Sequence, residues 1–359
     1  MGTRKTLDEL RTEIDAIDGQ LVELVSRRAA TAKQIGEAKS ARASTVLDVG
    51  REKAVLAAAR DANPGPLSGD VVEAIFREVI SACRAMQQPI SVAYLGPEGT
   101  FSHAAAIKQF GHASEFHAVS TIADVFTEVE AGRARYGVVP IENTTEGAVT
   151  PTLDGLAITP LRIVAELEIK VAHCLLARDG EPSAVTRIVS HPQPLAQCRR
   201  YLADNFAAID QQPAASTAAA ARTAAEEPGT AAIASELAAQ IYGLEVVARS
   251  IQDDAGNVTR FLVVGADDAL RPSGNDRTSL VIAVRDEVGV LGRILAPFTD
   301  NDVNLSMIES RPLAGRPWEY RFFVDVGGHV NDQNLARALA SVDEISISTK
   351  VLGSYPVAS

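Results

Sequence analysis

The chain has 359 residues, 46% of them apolar and 22% charged, a composition ordinary for a folded globular protein. Its formal net charge of −12 argues against a nucleic-acid binder, which normally carries a basic face, but leaves room for local basic pockets that take small anions. There is no apolar run of about 18 residues to suggest a membrane span; the six histidines show no metal-binding spacing and the three cysteines no CxxC, so neither metal nor disulfide is expected. The opening, "MGTRKTLDELRTEID", lacks the apolar stretch of a secretion signal, so a cytoplasmic location is expected. Gly2 and Thr6 match a myristoylation pattern only loosely, and helix from Lys5 onward is the stronger reading.

In chain order, the first segment reads as helical to about residue 88. Leu7, Leu10, Ile14, Ile17, Leu21 and Leu24 recur at steps of three and four, an apolar seam. Continued at the same steps, the seam runs through Arg28, Ala32, Ile35 and Lys39, so two cations stand where apolar residues are expected. A helix over residues 5–41 would be roughly 55 Å long, too long to cover its seam within one small segment, so a partner chain is expected. Asp48 offers an N-cap for a second helix, "NPGPLSG" (63–69) ends it, and a third helix carries Val72, Phe76, Val79, Ile80 and Cys83 on one face.

Residues 90–266 alternate short β-rich and helical runs, the α/β pattern. Strands are predicted at 91–95, 136–141, 169–177, 187–190, 230–234, 244–250 and 260–265, with helices starting at Thr121 and Ser216. "ADDALRPSGND" (266–276) reads as a linker. The remainder orders as βαββαβ, a ferredoxin-like α+β arrangement.

Cations on an apolar seam are costly unless paired. Either they snorkel or meet a partner helix's glutamates, or they line a pocket for a dianion, which arginine can clamp bidentately. "LRTEIDAIDGQLVELVSRRAATAKQIGEAK", "VLDVGRE" and "FREVISACRAMQ" resemble the all-helical chorismate mutase family. The resemblance implies a pericyclic rearrangement needing no acid–base step. The resemblance further implies that Arg11 and Arg28 hold the two carboxylates, Arg11 reaching into the pocket of a partner chain, and that Arg51 supports them. Lys39 and Gln87 donate to the ether oxygen, with Gln88 the alternative if the third helix slips in register. Asp48 and Glu52 meet the ring hydroxyl region.

"GPEGTFS" (96–102), "PIENTTEGAV" (140–149), "SHPQPLAQC" (190–198) and "NVTRF" (257–261) each have an ordinary structural reading. In this order they resemble prephenate dehydratase, which implies two α/β lobes around a cleft, as in type II periplasmic binding proteins. The implied reaction removes carbon dioxide and the ring hydroxyl from prephenate to give phenylpyruvate. Thr259 matches the family's catalytic threonine, and donation of a hydrogen bond to the departing hydroxyl is its expected role. Thr100, Ser102, Ser216 and Thr217 are expected carboxylate ligands at helix starts. Asn143, Thr145, Arg260 and Phe261 complete the expected substrate contacts, Arg260 alternatively serving a structural ion pair. Glu142 would serve as a proton source if buried, and His191 is read as structural.

"DEVGVLGRILAPF" and "IESRPLAGRPWEYRFFVDV" resemble the ACT domain. The resemblance implies a phenylalanine site at a dimer interface, built from Gly289, Val290 and Leu291 with Glu309, Ser310, Arg311 and Pro312. Val288, Val290 and Gly292 depart from the usual loop, which bears on ligand preference; a pure dimerisation module is the alternative.

Together these expectations make a multidomain, cofactor-independent bifunctional enzyme: helical mutase 1–89, dehydratase 90–266, linker 267–277 and ACT 278–359. The expected partners are chorismate, prephenate, phenylalanine as effector and at least one further copy of the chain, with neither nucleic acid nor membrane. The alternatives are a prephenate or arogenate dehydratase whose helical segment serves only dimerisation, and a non-catalytic amino-acid-binding protein.

Overall fold

Thr6 and Glu9 start the first helix by exchanging bonds. Thr6 N donates to Glu9 Oε2 at 2.7 Å and Glu9 N to Thr6 Oγ1 at 3.3 Å, a capping box. The computed structural model describes residues 5–40, 47–266, 271–312 and 320–358. Helix α1 (Leu7–Ser40) is 34 residues long, or about 51 Å. Helix α2 (Val49–Asp61) begins at Asp48, which accepts from Arg51 N at 2.9 Å, and α3 (Gly69–Ala85) begins at the N-cap Ser68. Residues through Ile90, with Phe110–Glu115, form one compact unit; the rest of the chain forms a second.

The second unit starts with β1 (Ser91–Leu95), α4 (Phe101–Phe110), β2 (Glu115–Val119), α5 (Ile122–Glu130), β3 (Tyr136–Asn143), β4 (Gly147–Ala148), α6 (Thr150–Ile158) and β5 (Arg162–Lys170). The chain then crosses to another sheet through β6 (Cys174–Ala177), β7 (Arg187–Ser190), α7 (Pro192–Gln197), α8 (Arg199–Phe206), β8 (Asp210–Pro213), α9 (Thr217–Glu226), β9 (Thr230–Ala234), α10 (Glu236–Tyr242) and β10 (Glu245–Ala248). It returns as β11 (Val258–Gly265) between β3 and β5. The two sheets run β2-β1-β3-β11-β5 and β10-β6-β9-β7-β8, with β4 pairing β3.

The expected strand at 169–177 is therefore two strands in two sheets. Residues 171–173 are the outward crossing, and their backbone groups bond the return crossing: Val171 N donates to Asn257 O at 2.9 Å and Ile251 N to His173 O at 2.9 Å. Most of β5 had no counterpart in the expected strands, because Glu166 and Glu168 interrupt its apolar run. The strands β2 and β8 lie at sheet edges with mostly exposed or half-exposed residues, so their sequences lack apolar alternation. The return strand begins at Val258, two residues before the expected start at Arg260, which puts Thr259 inside it.

The C-terminal part has β12 (Asp276–Val284), α11 (Val290–Asp300), β13 (Leu305–Pro312), β14 (Tyr320–Gly327), α12 (Gln333–Ile345) and β15 (Ser348–Pro356). The antiparallel order β13-β14-β12-β15 is the expected ferredoxin-like one. One core joins this sheet to the first: Ile163, Leu262 and Val264 pack with Val281, Phe323, Leu352 and Tyr355. A Cβ at Gly353 would lie 2.1 Å from Ile163 O, so only glycine permits β15 to approach β5 this closely.

Candidate active sites

In the first unit an open cavity of about 550 Å³ is lined by Arg28, Ile35, Asp48, Arg51, Glu52, Ile80, Cys83, Arg84 and Gln87, among others. Its size suits a small organic ligand. Five expected mutase residues thus meet here: Arg28 and Gln87 from either end of the helical segment, and Asp48, Arg51 and Glu52 from the start of α2. Gln87 Oε1 is buried and makes no hydrogen bond among the described residues. Arg11 is exposed on α1 and its Nη1 is 3.5 Å from Asp8; it does not line this cavity. Lys39 is helical, but its side chain lies outside the described residues.

Arg84 was not foreseen. Its Nη1 donates to both carboxylate oxygens of Glu52, at 2.6 and 2.7 Å, and its Nη2 to Phe110 O at 2.5 Å. Its side chain is 4% exposed. Glu52 therefore enters the cavity already engaged. The clue was available: Arg84 follows Ile80 by one helical turn, a cation on the inward face of α3.

In the second unit Thr259 and Asn143 stand opposite each other on β11 and β3. Asn143 Nδ2 donates to Thr259 Oγ1 at 2.8 Å and to Asn257 Oδ1 at 2.7 Å. Asn143 Oδ1 accepts from Thr145 N at 3.0 Å and Glu146 N at 3.2 Å. The amide is thus occupied in holding Thr259, Asn257 and the next turn, and is not left for a substrate. Asn257, 4% exposed, was inside the quoted motif but was not singled out.

Thr100 and Ser216 both cap helices. Thr100 Oγ1 accepts from His103 N at 3.3 Å, and Ser216 Oγ from Ala219 N at 3.0 Å. Ser102 is buried in the first turn of α4, and Thr217 opens α9. These hydroxyls sit at two helix N-termini, one beside each sheet. The "GPEGT" loop reaches α10: Ser235 Oγ donates to Gly99 O at 2.7 Å and Tyr242 OH to Glu98 O at 3.1 Å. Gly99 has φ +83, and a Cβ there would come within 3.2 Å of Ala238, so the approach requires glycine.

Phe261 is placed differently from the expectation, and Arg260 takes the second of its two expected roles, a structural ion pair. Phe261, 1% exposed, is core. Arg260, 8% exposed, turns to the opposite face of β11 from Thr259 and pairs with Asp325 Oδ2 at 2.6 Å and Glu166 Oε2 at 3.5 Å. Burial disfavours its charge, but Asp325, the Tyr355 phenol and Glu166 more than offset this, and its pKa is raised. Glu142 lies across from Arg260, and its side chain is 45% exposed, so the burial its proton-source role required is absent. His191 caps α7, its Nδ1 accepting from Gln193 N at 3.4 Å. Glu166 and Asp325 were missed; Asp325 is the lone acid of "FFVDV", and Glu166 is one of two acids, with Glu168, in "IVAELEI".

In the C-terminal part, Gly289 caps α11 with φ +76, and Val290 and Leu291 open that helix. Glu309, Ser310, Arg311 and Pro312 end β13, the edge strand. Arg311 Nη2 reaches Asp154 at 3.1 Å. No group of His, Cys, Asp or Glu with metal-binding geometry occurs among the described residues.

Residues 10–88 match the chorismate mutase type II family model, 92–269 that of prephenate dehydratase and 278–344 that of the ACT domain. A protein of Stutzerimonas stutzeri named bifunctional chorismate mutase/prephenate dehydratase is 40% identical, the match covering 100% of both chains. A solved prephenate dehydratase from Arthrobacter aurescens in complex with L-Phe superposes with a TM-score of 0.69 at 38% identity, covering 75% of this chain and 90% of that one. Another solved structure with a TM-score of 0.69, at 30% identity, covers 74% of this chain and 98% of its own and is described as a novel type of quorum quenching acylase. The shared architecture of the second unit therefore does not by itself choose a chemistry.

Proposed function

The chain belongs to the bifunctional chorismate mutase/prephenate dehydratase family, and from that premise we propose how its two sites divide the work. The protein converts chorismate to prephenate and prephenate to phenylpyruvate, in phenylalanine biosynthesis, with phenylalanine as feedback effector. The segments 1–89, 90–266 and 278–359 are the proposed mutase, dehydratase and regulatory domains; of the expected linker 267–277, residues 267–270 lie outside the described ones and Asp276 and Arg277 already belong to β12.

For the mutase step, Arg28 and Arg51 take the substrate carboxylates, and Gln87 and Lys39 donate to the ether oxygen as charge develops there. Holding the dicarboxylate in its compact conformer supplies the rest. Asp48 and Glu52 meet the ring hydroxyl, Glu52 oriented by Arg84. Arg11 serves the cavity of a second copy. Supporting that assembly, Leu7, Leu10, Ile14, Ile17, Leu21 and Leu24 are all exposed along α1, an apolar stripe that a two-fold partner helix would cover.

For the dehydration step, Thr259 is the donor to the departing hydroxyl. Because Asn143 donates to its oxygen, the single Thr259 proton remains available, and the incoming bond strengthens it as a donor. Ser102, Ser216 and Thr217, with the N–H groups of the two helix starts, hold the carboxylates, while the Thr100 hydroxyl donates to Leu95 O at 3.2 Å and shapes the turn. Aromatisation drives loss of carbon dioxide. In the regulatory domain the Gly289–Leu291 loop and Glu309–Pro312 form the phenylalanine site, with Val288, Val290 and Gly292 adjusting its fit. The edge position of β13 and exposed Val288, Leu291 and Ile308 support a site completed by another copy.

The observation that carries the reading is the Asn143–Thr259 pair, a threonine hydroxyl held with its proton free. The decisive experiment follows phenylpyruvate release from chorismate, prephenate and arogenate by the purified chain. Release from chorismate and prephenate is expected. Release from prephenate alone would reduce the helical segment to an assembly element, and none from any substrate would overturn the reading.

A further inference from the structure

Thr259 and Arg260 are consecutive on β11, and the two-residue period of a strand sends them to opposite faces. Thr259 meets Asn143. Arg260 enters the core that the first sheet shares with the C-terminal sheet, alongside Leu262 and Val264. There Arg260 Nη2 donates to Asp325 Oδ2 at 2.6 Å and lies 3.5 Å from Met307 Sδ, while Nη1 reaches Glu166 at 3.5 Å. Asp325 is fixed in turn by Ser279 Oγ, which donates at 2.5 Å and meets the Tyr355 hydroxyl at 2.6 Å. Arg277 pairs with Glu166, so two arginines face two buried carboxylates, with the half-exposed Glu142 3.9 Å from Arg260 Nε.

The strands that anchor Arg260 also carry the regulatory motif. Met307 and Asp325 are cross-strand partners on β13 and β14, and β13 continues directly into Glu309–Pro312. On the other side, the β11–β3 pairing shifts register between Arg260 and Phe261, a bulge immediately next to the pair. A bulge re-aims neighbouring side chains, and its setting depends on what holds the strand. The exposed Arg311–Asp154 contact also joins the two layers, but a solvated pair holds geometry weakly. A buried bidentate-capable arginine can transmit a shift of β14 into β11.

Resting on the dehydratase reading above, we propose that Arg260 is a positioning residue for dehydration: anchored by Asp325, it lets the C-terminal sheet set the placement of Thr259. The effector site and the catalytic threonine then bias one shared element, which is the physical requirement for coupling between them.

The test uses the full chain with Asp325→Asn and, separately, Arg260→Lys. Asparagine keeps the shape and removes the charge. Lysine keeps the charge and loses the fork that spans Asp325, Met307 and Glu166. Each is expected to lower kcat for prephenate by at least about tenfold with KM within about twofold, since small misplacement of a reacting group acts on turnover. The inhibitory phenylalanine concentration is expected to shift by about fivefold or more, while mutase turnover stays unchanged. Arg277→Gln opens the same buried cluster without touching the Arg260–Asp325 bond, and should leave kcat and the phenylalanine response within about twofold. Folded variants with wild-type kcat and wild-type inhibition would overturn the proposal, as would equal losses in Arg277→Gln. A wild-type chain without dehydratase activity would instead overturn the functional reading on which the proposal rests.

Discussion

Asn143 and Thr259 face each other across β3 and β11, and the asparagine amide donates to the threonine oxygen at 2.8 Å. The direction of this bond matters. A hydroxyl has one proton and two lone pairs, so an oxygen that accepts from Asn143 still has its proton to give. Thr259→Ala is expected to lower dehydratase kcat by about 10²–10³-fold, the usual loss when one aimed donor is removed. Thr259→Ser should retain most activity. Phenylpyruvate formation from prephenate measures both, and a loss below about fivefold in the alanine variant would mean that another group is the donor.

Arg28→Ala removes a cation from the cavity of the first unit and leaves the second unit untouched. Chorismate turnover should fall by at least about 10²-fold, a charge-assisted clamp being lost in a partly desolvated site. Prephenate turnover should not change. Parallel assays on the two substrates check this, and loss of both activities would sink the picture of separate sites.

Arg84→Leu leaves Glu52 without the Nη1 group that meets both its oxygens and Phe110 O without this donor. Breaking a buried pair by removing one member costs about 3–5 kcal/mol, here falling on the helical unit. Circular dichroism during thermal unfolding should show the helical signal melting earlier, and mutase turnover should fall with it. An unchanged melt would show that the pair is not structural.

His173 is 2% exposed; its Nε2 contacts Gln197 Oε1 at 2.9 Å and its Nδ1 is buried without a partner. Burial lowers its pKa below the model-peptide value of 6.5, partly opposed by the bond to Gln197. The folded state thus takes up a proton less readily than the unfolded state. Its contribution to stability is full above pH 6.5 and is lost as pH falls through the lowered folded value. The second unit should lose thermal stability between pH 7 and pH 5, and His173→Gln should flatten that slope, as differential scanning calorimetry at several pH values would reveal (roughly 1 kcal/mol per pKa unit).

Ile14→Glu places a charge in the middle of the exposed α1 stripe. If a second copy covers that stripe, sedimentation should show a smaller assembly. Mutase activity should fall as the partner's Arg11 withdraws, while Arg28 and Arg51 remain in place. A variant that keeps both assembly and activity would locate the interface elsewhere.

Much of this was legible in the chain. The seam of α1, the caps at Asp48, Thr121 and Ser216, and the βαββαβ order depend on local period and capping chemistry, which neighbouring residues decide. Arg28 could be named as a cation on an apolar seam and Asp48 as a cap, whereas Arg51, Glu52 and Gln87 could be named only through the resemblance to the chorismate mutase family. The crossing at 171–173 was not legible, since "IKVAHCLLA" is a continuous apolar run whether it serves one sheet or two. Polar edge strands such as β8 escaped for the opposite reason: their backbone pairs although their side chains stay wet.

The motif "NVTRF" shows where the division falls. The resemblance to prephenate dehydratase marked Thr259 as a donor; the expected strand began only at Arg260, so alternation could not be used to separate the two side chains until β11 was seen to begin at Val258. What lay beyond each face was not written locally. Asn143 is 116 positions from Thr259 and Asp325 is 65 from Arg260, and only the folded sheets bring them within bonding distance. Periodicity is a local property of the backbone, so the sequence determined most of the elements, and the donor was named through the family resemblance its motifs carry. Pairing of buried charges is long-range, so tertiary structure alone decided that Thr259 is held by Asn143 and that Arg260 belongs to the C-terminal sheet rather than to the substrate.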